Sequence, residues 1–212
     1  MRLYPIQLSL AGRTCVVVGG GSVAERKVGP LRASGAHIRL VSPEATPALQ
    51  AMGKKCEIEL QSVAYGSEHL DGAFLVMACT DRREVNAQVT ADAHERGLLV
   101  LCADAPDTGS FVSPTQITRG DLTLTVSTGG NSPTLASVLR ERLEAEFGPE
   151  WGELTALIGR MREIVKTNPD EAGRKGAVRR VLDDHQIHAL LRAGSTLEAE
   201  ARARECLSSS SV

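Results

Sequence analysis

Three consecutive glycines, Gly19-Gly20-Gly21, followed by Ser22-Val23-Ala24, stand directly between a β-branched run and a helical pattern. Upstream, Thr14-Cys15-Val16-Val17-Val18 is short and continuous, as expected of a strand buried on both faces. Downstream, Val23, Ala24, the stem of Lys27, Val28 and Leu31 follow helical spacing up to the stop at Ser34-Gly35. In a strand-turn-helix of this kind, G-x-G-x-x-A has a physical purpose. Gly19 permits the tight turn, Gly21 lets the backbone approach a pyrophosphate, and Ala24 allows the helix to pack closely on the strand. The helix N-terminus, where Gly20, Ser22 and Val23 also lie, favours the phosphate charge. The segment predicts a dinucleotide site.

The same alternation continues along the chain. His37 to Val41 reads as a second strand, Cys56 to Leu60 as a third, Ala73 to Cys79 as a fourth and Leu98 to Cys102 as a fifth, with a helix from about Val85 to Arg96 ended by Gly97. Strands alternating with helices imply right-handed crossovers and an α/β fold with a Rossmann-type parallel sheet. After Asp104 the period changes. Phe111 to Thr118 and Leu122 to Thr128 flank an Arg119-Gly120-Asp121 turn, and Leu122, Leu124 and Val126 alternate with Thr123, Thr125 and Ser127, which predicts a half-exposed β-hairpin. Ser132 and Pro133 then open a helix as N-cap and first residue, with Leu135, Val138, Leu139 and Leu143 as its apolar stripe. Leu154, Leu157, Ile158, Met161, Ile164 and Val165 mark another helix, broken at Asn168-Pro169-Asp170. Short helices follow, with Ser195-x-x-Glu198 as a capping box and a frayed tail at Ser208 to Ser211.

Bulk properties narrow the partners. With 24 basic and 26 acidic residues and 3% aromatics, the chain has neither the positive field nor the stacking platforms of a nucleic-acid binder. No run reaches the roughly 18 apolar residues of a membrane span, and MRLYPIQLSLAGR lacks the pattern of a signal peptide, so a cytoplasmic location is expected. Cys15, Cys56, Cys79, Cys102 and Cys206 show no C-x-x-C spacing and read as buried free thiols, four of them inside strand-like runs. The five histidines form no metal-ligand cluster, and His185 and His188 read as a solvated or interhelical pair. No metal site is expected.

Several residues after strand ends are candidates for chemistry. About 20 residues beyond the glycine turn, where an acid commonly holds the ribose, stands Val41-Ser42-Pro43-Glu44, leaving Ser42 as a weaker hydrogen-bonding group. No arginine follows to claim a 2′-phosphate, which favours NAD over NADP. Thr80 follows the fourth strand and is a candidate at the cofactor, while Asp81 reads as a helix cap. Asp104 follows the fifth strand at the carboxyl edge of the sheet, where it is either a turn-former in Asp-Ala-Pro or a functional carboxylate. Gly129 to Pro133 is either an ordinary helix entry or an anion site.

Three segments, Gly19 to Lys27, Asp104-Ala105-Pro106 with Ser110-Phe111-Val112-x-Pro114, and Ser127-Thr128-Gly129-Gly130-Asn131-Ser132-Pro133, together resemble the precorrin-2 dehydrogenase/sirohydrochlorin ferrochelatase family. That family comprises stand-alone proteins and the amino-terminal module of sirohaem synthase. The resemblance runs from about Tyr4 to Arg142 and is thin after Phe147. It implies NAD-dependent oxidation of precorrin-2 to sirohydrochlorin and, in some members, ferrous iron insertion. It also implies a homodimer built through the hairpin region and a helical C-terminal domain, hence a division into 1–112 for NAD, 113–147 for dimerisation and substrate, and 148–212 for the helices. By motif position, Asp104 matches the family's catalytic aspartate and Thr128 a residue beside the tetrapyrrole substrate. Substrate carboxylates would then meet Gly129, Gly130, Asn131 and Ser132, with Arg119 and Arg140 as candidate cations. The sequence ends without a methyltransferase module, so uroporphyrinogen methylation is not expected. A non-catalytic NAD-sensing domain would use the same glycine turn and is the alternative reading.

Overall fold

The computed structural model describes residues 3–166 and 171–208 and divides into two compact units, Met1–Ser113 and Pro114–Val212. In the first unit, β1 (Thr14–Val18), β2 (His37–Val41), β3 (Glu59–Gln61), β4 (Leu75–Ala78) and β5 (Leu99–Cys102) form one parallel sheet in the order β3-β2-β1-β4-β5. The order reverses between β1 and β4, so the crevice at their carboxyl ends is the place where such sheets bind ligands. Strands β1 and β4 lie at the centre, and their Val16, Val17, Val76 and Ala78 are fully buried, which explains why they read as continuous apolar runs.

Helices cover both faces. On one, α1 (Ser22–Ala33) and α2 (Pro47–Lys54) bury Ala24, Val28, Leu31 and Leu49 against Cys15, Val17, Leu40 and Met77. On the other, α3 (Arg83–Glu95) buries Val89 and Ala93 against Val16, Val18, Val76 and Val100. Alternate residues of one strand thus feed opposite cores. Fully burying a leucine or valine contributes roughly 1.5–3 kcal/mol.

Three expectations need correction here. The third strand begins at Glu59, because Cys56 has a left-handed φ of 55° and turns the chain out of α2. That turn leaves Cys56 exposed, so it is not a buried thiol. The helix α2 escaped the apolar periodicity altogether, although Thr46 caps it by accepting from the Leu49 amide and Pro47 is its first residue. Phe111 is not part of the hairpin, since it packs against the core of the parallel sheet.

The second unit opens with the antiparallel hairpin of β6 (Thr115–Arg119) and β7 (Leu122–Val126), turning at Gly120 with φ 55°. Among the described residues five helices follow: α4 (Pro133–Glu146), α5 (Glu150–Val165), α6 (Glu171–Asp183), α7 (His185–Arg192) and α8 (Thr196–Ser208). Leu154, Leu157 and Met161 of α5 pack with Val181, Ile187, Leu191, Ala199 and Ala203 into one core. The hairpin turn lies on α5, where a Cβ on Gly152 would stand 2.9 Å from the Arg119 carbonyl carbon. His188 meets Trp151 of α5 edge-on at 5.5 Å, which makes it an interhelical contact. Ser195 precedes α8 and accepts the Ala199 amide through its carbonyl. The break at Asn168-Pro169-Asp170 and most of the Ser208 to Ser211 tail lie outside the described residues.

Candidate functional site

The turn after β1 is shaped by the crowding of backbones. Gly19 has φ 117°, and a Cβ there would lie 2.5 Å from the Cys79 carbonyl oxygen, at the end of β4. Gly20 faces the Glu44 carbonyl, which a Cβ would overlap. Gly21 differs: a Cβ there meets nothing within 4 Å, so its backbone borders open space. Gly21 is also the N-cap of α1, with no side-chain cap, which leaves first-turn amides without a side-chain acceptor. An accessible backbone beside an uncapped helix start fits a pyrophosphate.

One pocket contains this turn. It is lined by Gly19, Gly20, Gly21, Ser22 and Val23, then Ser42 and Glu44 after β2, Tyr65, and Thr80 and Asp81 after β4. Ala24 is fully buried under the turn, the packing role its position predicts. The Ser42 hydroxyl donates to the Glu44 carbonyl at 2.6 Å, so it retains only acceptor capacity toward a ribose. Glu44 itself is exposed on the pocket wall. Tyr65 donates to Asp92 at 2.8 Å, and burial first, then the Asp92 carboxylate, push its hydroxyl pKa up.

Asp104 stands beyond β5 and is tied to the loop after β4 by a buried amide. Asn86 of α3, 1% exposed, donates from Nδ2 to Asp104 Oδ1 at 2.7 Å and to the Thr80 carbonyl at 3.0 Å. Its Oδ1 accepts from the Thr80 amide at 3.0 Å and from the Thr80 hydroxyl at 2.7 Å. Cys102 donates its thiol to Asp104 Oδ1 at 3.2 Å, and Arg83 Nε lies 3.8 Å from Oδ2. Burial alone would raise the Asp104 pKa. The Cys102 and Asn86 hydrogen bonds, a backbone amide and the Arg83 charge outweigh it and hold the carboxyl below 3.8. Asp81 is exposed and does not cap α3, whose N-cap is Arg82. The Thr80 hydroxyl accepts the Arg82 amide at 3.2 Å in its place.

In the second unit, Thr128 closes the loop into α4. Its hydroxyl donates to the Ser132 carbonyl at 3.1 Å and accepts the Ser132 amide at 3.2 Å, across Gly129 and Gly130 with φ 61° and 86°. Asn131 donates its backbone amide to the Thr128 carbonyl at 3.1 Å, and Ser132 caps α4 by accepting from Leu135. Arg119 donates Nε to the Phe147 carbonyl at 2.9 Å, and Arg140 pairs with Glu144 at 2.5 Å. Both arginines therefore have structural partners. The sequence left Asn86 and Tyr65 unmarked and passed over Glu44 in favour of Ser42.

Residues 6–115 match the putative NAD(P)-binding family, and residues 119–146 match the central segment of sirohaem biosynthesis proteins. A protein named siroheme synthase from Methylobacillus flagellatus is 40% identical over 166 residues, 78% of this chain and 36% of that protein. Its namesake from Chromobacterium violaceum is 37% identical over 204 residues, 96% of this chain and 43% of that protein. The chain thus spans about two fifths of the length of these curated relatives. The solved structure of SirC, precorrin-2 dehydrogenase, superposes with a TM-score of 0.77 at 25% identity, covering 96% of this chain and 100% of that one. The chain belongs to the precorrin-2 dehydrogenase and sirohaem synthase family, and its first unit is that family's NAD(P)-binding domain.

Proposed function

We propose that this chain oxidises precorrin-2 to sirohydrochlorin with NAD, on the route to sirohaem. The observation that carries the reading is the hydrogen-bonded path from the pocket wall at Thr80, through Asn86, to the ionised carboxylate of Asp104. Gly19 to Ala24 and Thr80 would hold the cofactor, with Ser42 accepting from a ribose hydroxyl. The Glu44 carboxylate on the same wall repels a 2′-phosphate, which supports NAD over NADP. When bound, NAD supplies the acceptor for the hydride removed from the macrocycle.

A proton leaves the macrocycle as well, and Asp104 is the group for it. An aspartate held below its ordinary range is a weak base, so it acts first by orienting the departing N–H or C–H, or a water, through its Oδ2. Desolvation by a bound tetrapyrrole would raise its basicity. The Thr128 to Ser132 loop would receive substrate carboxylates through its amides, with Arg119 and Arg140 on the same unit. Homodimerisation through the hairpin and α4 is part of the reading, because Leu135 and Val138 of the α4 stripe stay 50% and 39% exposed. A cytoplasmic location accords with this chemistry.

The test uses enzymatically made precorrin-2 with NAD and the purified protein. Formation of NADH together with sirohydrochlorin is expected, and ferrous iron added afterwards reports sirohaem formation. Tight NAD binding without NADH formation would overturn the reading in favour of a non-catalytic NAD sensor.

A further inference from the structure

We infer that Asn86 is the positioning residue of Asp104, holding its Oδ1 so that Oδ2 alone is left for the reaction, and tying that geometry to the cofactor loop at Thr80. The inference deepens the function proposed above and rests on it for the word reaction. Its geometric content stands by itself.

The four polar positions of the Asn86 amide are all used. Both N–H groups donate, to Asp104 and to the Thr80 carbonyl, and the oxygen accepts twice from Thr80. Because Thr80 offers one backbone donor and one backbone acceptor, the orientation of the amide is fixed, and Nδ2 must be the atom facing Asp104. A buried amide so satisfied is rigid, since each lost partner would leave a desolvated polar group. Asp104 is therefore anchored on one oxygen, by Asn86 at 2.7 Å and Cys102 at 3.2 Å. The other oxygen lies 3.8 Å from Arg83 Nε, on an exposed side chain. Cys102 from β5 and Arg83 from α3 are the titratable groups that face the carboxylate, and both act to keep it charged. A ligand that moves Thr80 moves the amide, and the amide moves Asp104.

A residue that merely fills space would not transmit a charge. In the cofactor-free wild-type protein, the side-chain NH₂ resonances of Asn86 should therefore shift with pH along the titration of Asp104, and Asp104→Asn should abolish that shift. Asn86→Asp places a carboxylate against Asp104 and removes its donor, so the Asp104 carboxyl resonance should titrate about one pH unit or more higher. The acid limb of kcat/KM for precorrin-2 oxidation should move by the same amount, and kcat should fall about 10- to 100-fold. Asn86 amide resonances that ignore pH, in a protein whose Asp104 does titrate, would overturn the inference whether or not the variant folds. An unmoved Asp104 titration in folded Asn86→Asp would overturn it equally. Failure of wild type to oxidise precorrin-2 would remove the proposed function and leave the resonance test of the Asn86 and Asp104 coupling valid.

Discussion

Gly20 and Glu44 meet backbone to backbone: a Cβ on the glycine would overlap the glutamate carbonyl, while the Gly20 carbonyl accepts the Thr46 amide at 2.9 Å. The glycine turn is thereby fastened to the start of α2. Its neighbour Gly21 has no such contact, and the two glycines should respond oppositely to substitution. Gly20→Ala should destabilise the first unit, because the opposing atom is backbone and cannot swing away. Gly21→Val should fold as wild type and weaken NAD binding at least tenfold, by occupying the space a pyrophosphate needs. Calorimetric titration with NAD, beside thermal unfolding of each variant, checks both; unchanged NAD affinity in folded Gly21→Val would refute the cofactor site.

Asp104→Asn keeps the acceptor oxygen that Asn86 and Cys102 hold and removes only the charge. Turnover of precorrin-2 should drop by roughly 10²–10⁴, the range of a lost acid–base group, with NAD affinity intact. Stopped-flow measurement of NADH formation reads this, and a near wild-type rate would reduce Asp104 to a turn residue.

The thiols should separate by accessibility. Burial pushes Cys15 and Cys79 up to about 11, and Cys102 is buried as well, so none should react at pH 7.5 in the native protein. Cys56 is exposed and should be alkylated first, followed slowly by half-buried Cys206, whose pKa is raised by burial and by the Asp184 carboxylate. Mass spectrometry after a brief pulse of iodoacetamide locates the label; early label on Cys79 would contradict the packing of β4.

Asp184 caps α7 through the Gln186 and Ile187 amides and accepts from Arg202 of α8 at 2.8 Å. The Arg202 hydrogen bond is the main cause of its lowered pKa; burial opposes it, and the two cap amides and the Arg202 charge assist. A depressed carboxyl stabilises the folded state above its unfolded value near 3.8 and loses that contribution as pH falls through the folded value. Asp184→Ala should cost the helical unit roughly 0.5–2 kcal/mol at pH 7, the range for a lost N-cap. Urea unfolding at pH 7 and pH 3 should show the difference between variant and wild type shrinking at the lower pH.

Leu135→Glu combined with Val138→Glu should convert a homodimer into monomers without disturbing the α5 to α8 core, since neither residue is buried in the chain alone. Light scattering at micromolar concentration gives the mass. A wild type that is already monomeric and fully active would end the dimer proposal.

What the sequence could reveal follows from how far each signal travels along the chain. The buried strands announced themselves because Val16, Val17 and Val76 are apolar whichever face they point to. The glycine turn was equally legible, its strand, turn and helix being contiguous. The start of β3 was not, because Cys56-Glu57-Ile58-Glu59-Leu60 alternates as a strand does while a left-handed Cys56 makes its first residue a turn. Only three residues of this edge strand pair, and edge strands carry a weak pattern. Asn86 carried no signal at all. Its meaning depends on Thr80 and Asp104, 6 and 18 residues away, meeting one amide.

The reversal of strand order between β1 and β4 makes the two halves of the proposed site heritable apart. The pocket-wall residues Ser42 to Thr46 are reached by the chain travelling one way from β1, and the Thr80, Asn86 and Asp104 circuit is reached only after it has returned and travelled the other way. A change in the first stretch, such as replacing Glu44 by arginine to admit a 2′-phosphate, alters no hydrogen bond in the second. On the proposed function, selection can therefore revise which nicotinamide cofactor is used while the hydrogen-bonded circuit of Thr80, Asn86 and Asp104 is inherited unaltered.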